Sequence, residues 1–489
     1  MNEADSERMS VILAEQSMTP VAEPEDADII IINGCSVREK AVHKAVSALG
    51  KYNVIKKKSE GNGPIIGVGG CVGQLDRENL FKRAPYLDFV FGTDTIDNLP
   101  EIIHRVRSGE RKVIYAEFDK SMDYSTETKV DPGKSQAFVN IMKGCDKYCT
   151  YCIVPFTRGR EKSRKIDEVL EDIVKLVSRG VKEITLLGQN VNSFGKGNEN
   201  TAKRLPLELN NPIGKVGPKE GEENFAQLLR AIDSDVRLAN LKRIRFTSSH
   251  PLDFSDELID CYAEANKGGV AKLAKHLHLP VQSGSNAVLQ KMGRHHQIES
   301  YIDQMSRLRS LCPDIGLSTD MIVGFPTETE DDFQESLKLL DLLQFDNVYA
   351  FAYSPRPGTR ASKLKDDVSL KEKTERLNRL LDHQLAIAQK RYAARVGDKM
   401  EILVEGLAKN QYMLDKGDRD AKGLSSGLIK TTTKRVWTGR TTCNRIVNFA
   451  TESPRNLMGQ FVTAEITLAT GLALQGEWLA DRVIEGQNQ

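Results

Sequence analysis

Cysteine is scarce in this chain, with eight in 489 residues. That density excludes a disulfide scaffold, which small secreted domains build from closely spaced cysteines. Long apolar runs are missing too. No stretch approaches the roughly 18 unbroken apolar residues of a membrane span, and the opening MNEADSERMS is polar and acidic, unlike a secretory signal. Neither sign of charge dominates. A net charge of +1 by itself announces no nucleic-acid partner. These absences leave a cytoplasmic protein with no membrane association as the expectation. Apolar residues at 39%, with 37 glycines beside them, sit near the globular average. The length exceeds what one core holds and implies two to four domains, in a chain expected to be monomeric.

What is present is a rhythm of short apolar runs separated by helical patterns. Residues 28–33 (DIIIIN), 65–69 (IIGVG) and 88–92 (DFVFG) read as strands, with helices at 37–58, from 74, and at 96–107. This alternation predicts a parallel sheet covered by helices. Cys35 and Cys71 each follow directly after a strand. Ligands bind at the carboxyl ends of strands in such sheets, so the two are placed to face one crevice. After a polar linker at 120–135 the alternation restarts on a larger scale. Strands are predicted at 137–142, 183–187, 242–246, 275–280, 315–323 and 347–352, with helices such as 166–178, 225–232, 255–265 and 328–343 between them. Six β/α units make a partial, open parallel barrel rather than a closed eight-fold one. Residues 196–223 read as an exposed insertion. A long helix at 370–394 leads to short strand-like runs over 396–478, which predict a small antiparallel barrel.

The stretch KGCDKYCTYC puts Cys145, Cys149 and Cys152 on one loop, after the first strand of the larger block. Clustered cysteines in a reducing compartment bind metal or do chemistry. A structural zinc site takes four ligands, and the nearest histidines in sequence, His104 and His250, are far away. A 4Fe-4S cubane on three thiolates leaves one iron open. The amino and carboxylate groups of S-adenosylmethionine can chelate that iron. Reductive cleavage of the sulfonium then gives a 5′-deoxyadenosyl radical. Cys261, Cys312 and Cys443 lie in helical or strand-like patterns and read as small buried hydrophobes.

This C-x3-C-x2-C spacing on a β/α block resembles the radical S-adenosylmethionine superfamily. KGCDKYCTYCIVPFTRGREKSR is further similar to the methylthiotransferases, most of all the tRNA-modifying MiaB family. So are LLGQNVNSFG, LPVQSGSNAVLQKMGRHH, DMIVGFPTETEDDF and YSPRPGTRAS, and at the N-terminus NGCSVREKA and GGCVGQ. The resemblance spans nearly the whole chain outside the insertion. It implies three parts: a flavodoxin-like parallel-sheet domain over 1–115, a partial (β/α)6 radical barrel over 131–394, and an RNA-binding TRAM barrel over 395–482. It also implies two 4Fe-4S clusters, one on the trio and an auxiliary one on Cys35, Cys71 and a third cysteine from a G-C-Q-M-N stretch. The chain begins MNEADS, resembling the residues just after that cysteine. Either the start codon is assigned too late or this copy has a two-thiolate site; the first is the expectation, since a missing central strand would leave sheet backbone unpaired.

The same resemblance makes Gly188, Gln189 and Asn190 candidates to hold the methionine moiety, although Gln-Asn can simply cap a turn. Ser248 (with Ser249 and His250), Gln282, Ser283, Asp320 and Gly324 are placed similarly at strand ends. Tyr151 either covers the cluster or packs. Arg294, His295 and His296 either reach an anionic group or form a solvated face. Residues 143–165 hold seven Lys or Arg against two acids; 430–445 hold five around Trp437 with no acid. Such runs suit phosphate contact and base stacking on RNA, or are ordinary solvated faces. The implied activity is methylthio transfer to C2 of N6-isopentenyladenosine beside the tRNA anticodon. A radical is needed because that C–H has no acidic proton. The partners would be a tRNA anticodon stem-loop, a sulfur donor, and an electron donor such as flavodoxin or ferredoxin. Alternatives are transfer to threonylcarbamoyl-adenosine or a ribosomal-protein aspartate, and a non-catalytic iron–sulfur RNA-binding protein.

Overall fold

Ile- and Val-rich runs bounded by glycine and polar residues become strands in the computed structural model, which describes residues 1–36, 39–58, 63–118, 128, 133–195, 223–409, 435–453 and 455–479. A helix the sequence did not announce comes first, α1 (Asn2–Glu15). Then follow β1 (Ile29–Gly34), α2 (Glu39–Lys58), β2 (Ile65–Gly69), α3 (Gly70–Asp76), α4 (Glu78–Arg83), β3 (Phe89–Phe91), α5 (Leu99–Arg107) and β4 (Val113–Tyr115). The strands form a parallel sheet in the order β1-β2-β3-β4. The expected gap for a central strand is not seen, because β1 pairs directly with β2 through Ile29↔Ile65 to Asn33↔Gly69. Gly67 and Gly69 keep β2 open on one face, where an added Cβ would lie 2.1 Å from the Phe89 ring and 2.0 Å from the Phe91 ring. α3 begins at Gly70 rather than near 74, so Cys71 sits in the first turn of a helix. Leu99, Ile102 and Ile103 on one face of α5 are fully buried against the sheet.

The second block opens with β5 (Gln136–Asn140) and a two-residue ladder, β6 (Met142–Lys143) against β7 (Lys162–Ser163), that encloses the cysteine loop and α6 (Val154–Arg158). It continues with α7 (Ile166–Ser178), β8 (Glu183–Leu187), α8 (Phe225–Ser234), β9 (Arg243–Phe246), a short α9 (Asp256–Asp260), β10 (His276–His278), α10 (Asn286–Lys291), α11 (Ile298–Leu311), β11 (Gly316–Val323), α12 (Glu330–Leu343) and β12 (Asn347–Ala352). All six large strands are parallel, in two ladders β5-β8-β9 and β10-β11-β12. The Ile244↔Leu273 bridge joins the ladders. Among the described residues no pairing joins β5 to β12, so the barrel is open at one side. α7 shows why the helices cover it: Val169, Ile173, Leu176 and Val177 make one apolar stripe, all buried. The insertion lies outside the described residues, save Glu223.

α13 (Leu370–Ala393), started by a Ser369–Glu372 capping box, leads to the last part. β13 (Lys399–Leu407), β14 (Arg435–Thr441), β15 (Ile446–Thr451), β16 (Phe461–Thr470) and β17 (Ala473–Leu479) close a barrel in the order β13-β14-β15-β17-β16. Its ladders are antiparallel as expected, except β15–β17, which is parallel. Buried charges tie this barrel to the β/α block. Asp346 accepts from Arg391 Nε at 2.9 Å and from Arg445, and Arg245 Nη2 donates to the Thr441 carbonyl at 2.7 Å.

Candidate functional site

The cysteine loop leaves β6 through Gly144, whose φ of +77° suits only glycine well. A Cβ there would lie 2.0 Å from the Arg160 carbonyl. Distant segments then fix the loop backbone. The Gly144 N–H donates to Gln189 Oε1, the Cys145 N–H to the Gly159 carbonyl at 3.3 Å, and the Thr150 N–H to the Met292 carbonyl at 2.8 Å. Ala361 N–H donates to the Thr150 carbonyl at 2.8 Å, and Arg360 Nη2 to the Tyr148 carbonyl at 2.6 Å. The motifs after β10 and β12 therefore act as a clamp on the loop. Tyr151 packs, joining Val288, Met292, Phe325 and Tyr353 in a small apolar cluster.

Burial pushes the Cys145 thiol well up, and the nearby Glu161 and Cys152 push the same way. Cys152 is raised to about 12, by burial first and then by Cys149. Thiols held this way are poor nucleophiles. They are three sulfurs within electrostatic reach of one another, whose protons a metal would displace on binding. The donor set fits an iron–sulfur cluster. Around it stand buried polar atoms without partners: Arg294 Nε, His296 Nε2 and Asn190 Oδ1. Lys147 donates to Asp253 Oδ1 at 2.9 Å and Asn190 Nδ2 to Asp253 Oδ2 at 2.6 Å, a polar chain below the loop. Glu161, buried beside Ser193, rises to about 8, with burial the main cause.

The other expected residues take distinct positions. Gln189 spends its carbonyl on Gly144. Gly188 lies against Met142, where a Cβ would come within 2.4 Å of Cγ. Ser248 (φ +67°) and Gln282 (φ +79°) hold left-handed backbones at the barrel rim, strain of the sort that persists at functional sites. Asp320 lines the barrel cavity and faces His278 Nε2 at 3.5 Å. Ser283 is fully buried, with its hydroxyl 3.5 Å from that of Ser336 on α12. Gly324 turns beneath α13 and donates its N–H to Glu328 at 2.6 Å. Arg294 and His296 are buried, whereas His295 is exposed. The solvated-face reading is therefore corrected for Arg294 and His296. Cys261, Cys312 and Cys443 are buried.

The phosphate-facing reading is also corrected for most of the first basic run, and in the second for Trp437 and Arg445. Within 143–165, Lys143 pairs with Asp94, Lys147 with Asp253, Arg158 with Asp5, Arg160 with Asp146 and Arg164 with Asp172. These charges tie elements together instead of facing RNA. In the C-terminal run Trp437 is a core residue of the closed barrel, and Arg445 is only 1% exposed. Residues 430–434 of that run lie outside the described residues.

The barrel cavity measures about 840 Å³. Alternate residues of successive strands line it: Glu183 and Thr185, Arg245 and Thr247, His276 and His278, Ser318 and Asp320. Glu3 and Glu7 of α1 and Arg440, Asn444 and Met458 of the C-terminal barrel border it. On the N-terminal sheet the Gly34↔Gly70 bridge sets Cys35 and Cys71 one residue beyond a paired position, at neighbouring strand ends. The trio's own helix reaches that place. Arg158, at the end of α6, donates to Asp5 Oδ2 at 2.5 Å, and its charge lies within electrostatic reach of Cys71. α6 packs against α3, the helix that carries Cys71, while Thr93 Oγ1 donates to the Thr157 carbonyl at 2.8 Å.

The profile of the Radical SAM superfamily matches residues 139–340, and that of the uncharacterized protein family UPF0004 matches residues 1–92. Relatives named tRNA-2-methylthio-N(6)-dimethylallyladenosine synthase align along almost the full chain. The protein from Bdellovibrio bacteriovorus is 41% identical over 98% of this chain and 93% of its own. That from Francisella philomiragia is 42% identical over 98% and 96%, and that from Geobacter sulfurreducens 40% over 99% and 96%. The chain belongs to the MiaB family of radical SAM methylthiotransferases. Family membership carries S-adenosylmethionine and 4Fe-4S clusters with it. Sequence reasoning had named Asn190 and Arg294 as candidates but missed Asp253, the partner that links Lys147 to Asn190, and Arg158, because neither carries a local spacing signal.

Proposed function

We propose that this methylthiotransferase acts on tRNA, placing a methylthio group on C2 of N6-isopentenyladenosine beside the anticodon. The observation that carries the reading is the meeting of two cysteine sites at one interface. The loop bearing Cys145, Cys149 and Cys152 leads into α6, which packs against α3, the helix that carries Cys71 at the strand end next to Cys35. Radical generation and sulfur supply would thus be neighbours. When bound at the trio, a 4Fe-4S cluster with S-adenosylmethionine on its open iron supplies one-electron cleavage of the sulfonium. The chain's own residues do the rest. The Gln189, Met292 and Arg360 contacts hold the loop in place, and Asn190, Ser248 and Gln282 line the rim where the cofactor's polar groups would bind, while Asp320, in the middle of β11 and not at its end as expected, faces the cavity. A cavity of about 840 Å³ is of the size that takes a nucleoside. The bordering C-terminal barrel would present the anticodon stem-loop to it.

Cys35 and Cys71 would hold the auxiliary cluster. A flavodoxin- or ferredoxin-type protein would deliver electrons, a separate donor would supply sulfur, and the work would take place in the cytoplasm. No described helix is long and apolar enough to cross a membrane.

The test is nucleoside mass spectrometry of tRNA from a strain lacking the gene. The methylthio form of isopentenyladenosine should vanish, return with the intact chain, and stay absent with Cys145→Ala. Unchanged methylthio-isopentenyladenosine in the deletion strain would refute the assignment.

A further inference from the structure

The three thiols of the trio do not sit in equal surroundings. Cys145 has an acidic neighbour, Glu161, and one backbone N–H, from Lys147. Cys152 has a backbone N–H, from Val154. Among the described residues, only Cys149 of the three has side-chain donors at its sulfur, and it has two. Arg294 Nη1 lies 3.6 Å from its Sγ, and His250 Nε2 lies 3.9 Å from it.

Both donors are aimed by contacts of their own. Arg294 Nη2 donates to the Pro280 carbonyl at the end of β10, which fixes the guanidinium plane. Its neighbour Gly293 adopts a φ of +67° and packs against Thr150 of the cysteine loop. The His250 ring accepts the Leu252 N–H at Nδ1, 3.2 Å away. With Nδ1 accepting, the proton of the neutral ring sits on Nε2, the atom that faces Cys149. Arg294 and His250 are both buried. A full positive charge taken out of water is costly unless something anionic faces it. Among the described residues, Arg294 has no carboxylate hydrogen-bonded to it, and its Nε has no partner. The anion it faces is the sulfur.

Reduction adds one negative charge to a cluster. Hydrogen bonds and positive charge at its sulfurs stabilise the reduced form and raise the potential. We propose that Arg294, assisted by His250, is a positioning and tuning pair that raises the reduction potential of the cluster through Cys149. In this role neither residue touches substrate. The inference rests on the reading that the trio holds a 4Fe-4S cluster, and the experiment separates the two.

The full chain carrying Cys35→Ala and Cys71→Ala, reconstituted anaerobically, leaves only the trio to load. Iron content and the EPR signal of the reduced protein then report whether a cluster is present. Its absence in this parent would fail the cluster reading itself. In the loaded parent, EPR-monitored redox titration gives the midpoint. Arg294→Met should shift it negative, lowering the reduced-to-oxidised ratio at a fixed potential by about tenfold, or about 59 mV for one electron. Arg294→Lys, which keeps the charge, should shift it less. His250→Phe removes the Nε2–H facing Cys149, along with the Nδ1 acceptor of the Leu252 N–H, and should also shift it negative, by less than Arg294→Met. If Arg294→Met does not load, the sign of the shift in Arg294→Lys and His250→Phe decides. A loaded variant with an unchanged or more positive midpoint overturns the proposal and leaves the cluster reading intact.

Discussion

Three thiols stay together on one loop only because the backbone around them is tied down. Gly144 is where that restraint is most exposed to change. Its φ of +77° and the 2.0 Å approach of the Arg160 carbonyl leave no room for a side chain. Left-handed backbone at a non-glycine costs about 1–3 kcal/mol, and the clash adds to it. Gly144→Ala should leave the helices and sheets folded by circular dichroism while the reconstituted protein loses about four irons per chain. An unchanged iron count would mean that the loop tolerates displacement. At this scale the sequence shows what is local. The spacing of Cys145, Cys149 and Cys152 is readable because a loop keeps close residues close. Arg294 is not, since it reaches Cys149 from 145 positions away. His250, 101 positions away, is hidden for the same reason.

Elements were more legible than their partners. β1, β2 and β8 follow directly from runs of Ile, Leu and Val bounded by turn residues. α1 was not foreseen, because polar anchors hold much of it: Asp5 to Arg158 and Arg8 Nε to Asp97 at 3.0 Å. Periodicity cannot report such long-range pairs. The 430–445 run misled for a related reason. A strand alternates its faces, so Trp437 turns inward whatever charges flank it. Docking of the C-terminal barrel depends on Asp346, between β11, α13 and the loop after β14. Burial alone would raise its carboxyl, but Arg445 and Arg391 outweigh burial and hold it below the ordinary 3.8. Its contribution to stability is therefore present above about 3.8 and is lost as pH falls through the lower folded value. Asp346→Ala would leave two arginines facing each other without an anion, at a cost of about 3–5 kcal/mol. In thermal melts the variant should be much less stable than the parent at neutral pH, and the gap should narrow at acid pH. A gap that does not change with pH would assign the loss to packing alone.

Across the whole molecule, three units border the trio or the barrel cavity, whose lining includes none of the three cysteines. The N-terminal sheet brings Cys35 and Cys71 to the helix that follows the trio, the open β/α barrel supplies the cavity, and the closed barrel borders its mouth. Order along the chain was visible in the sequence because each unit has its own rhythm of strands and helices. Their mutual placement was not, since it rests on single contacts such as Arg158 to Asp5 and Arg245 to Thr441. The chemistry at the trio depends on how many protein side chains grip the cubane. The direct measurement is electron–nuclear double resonance on the reduced full chain carrying Cys35→Ala and Cys71→Ala, with S-adenosylmethionine isotope-labelled at its amino nitrogen. Hyperfine coupling from the labelled nitrogen should appear, because the vacant corner binds the cofactor. No coupling from the label, with a protein nitrogen or fourth sulfur at that iron instead, would contradict the account.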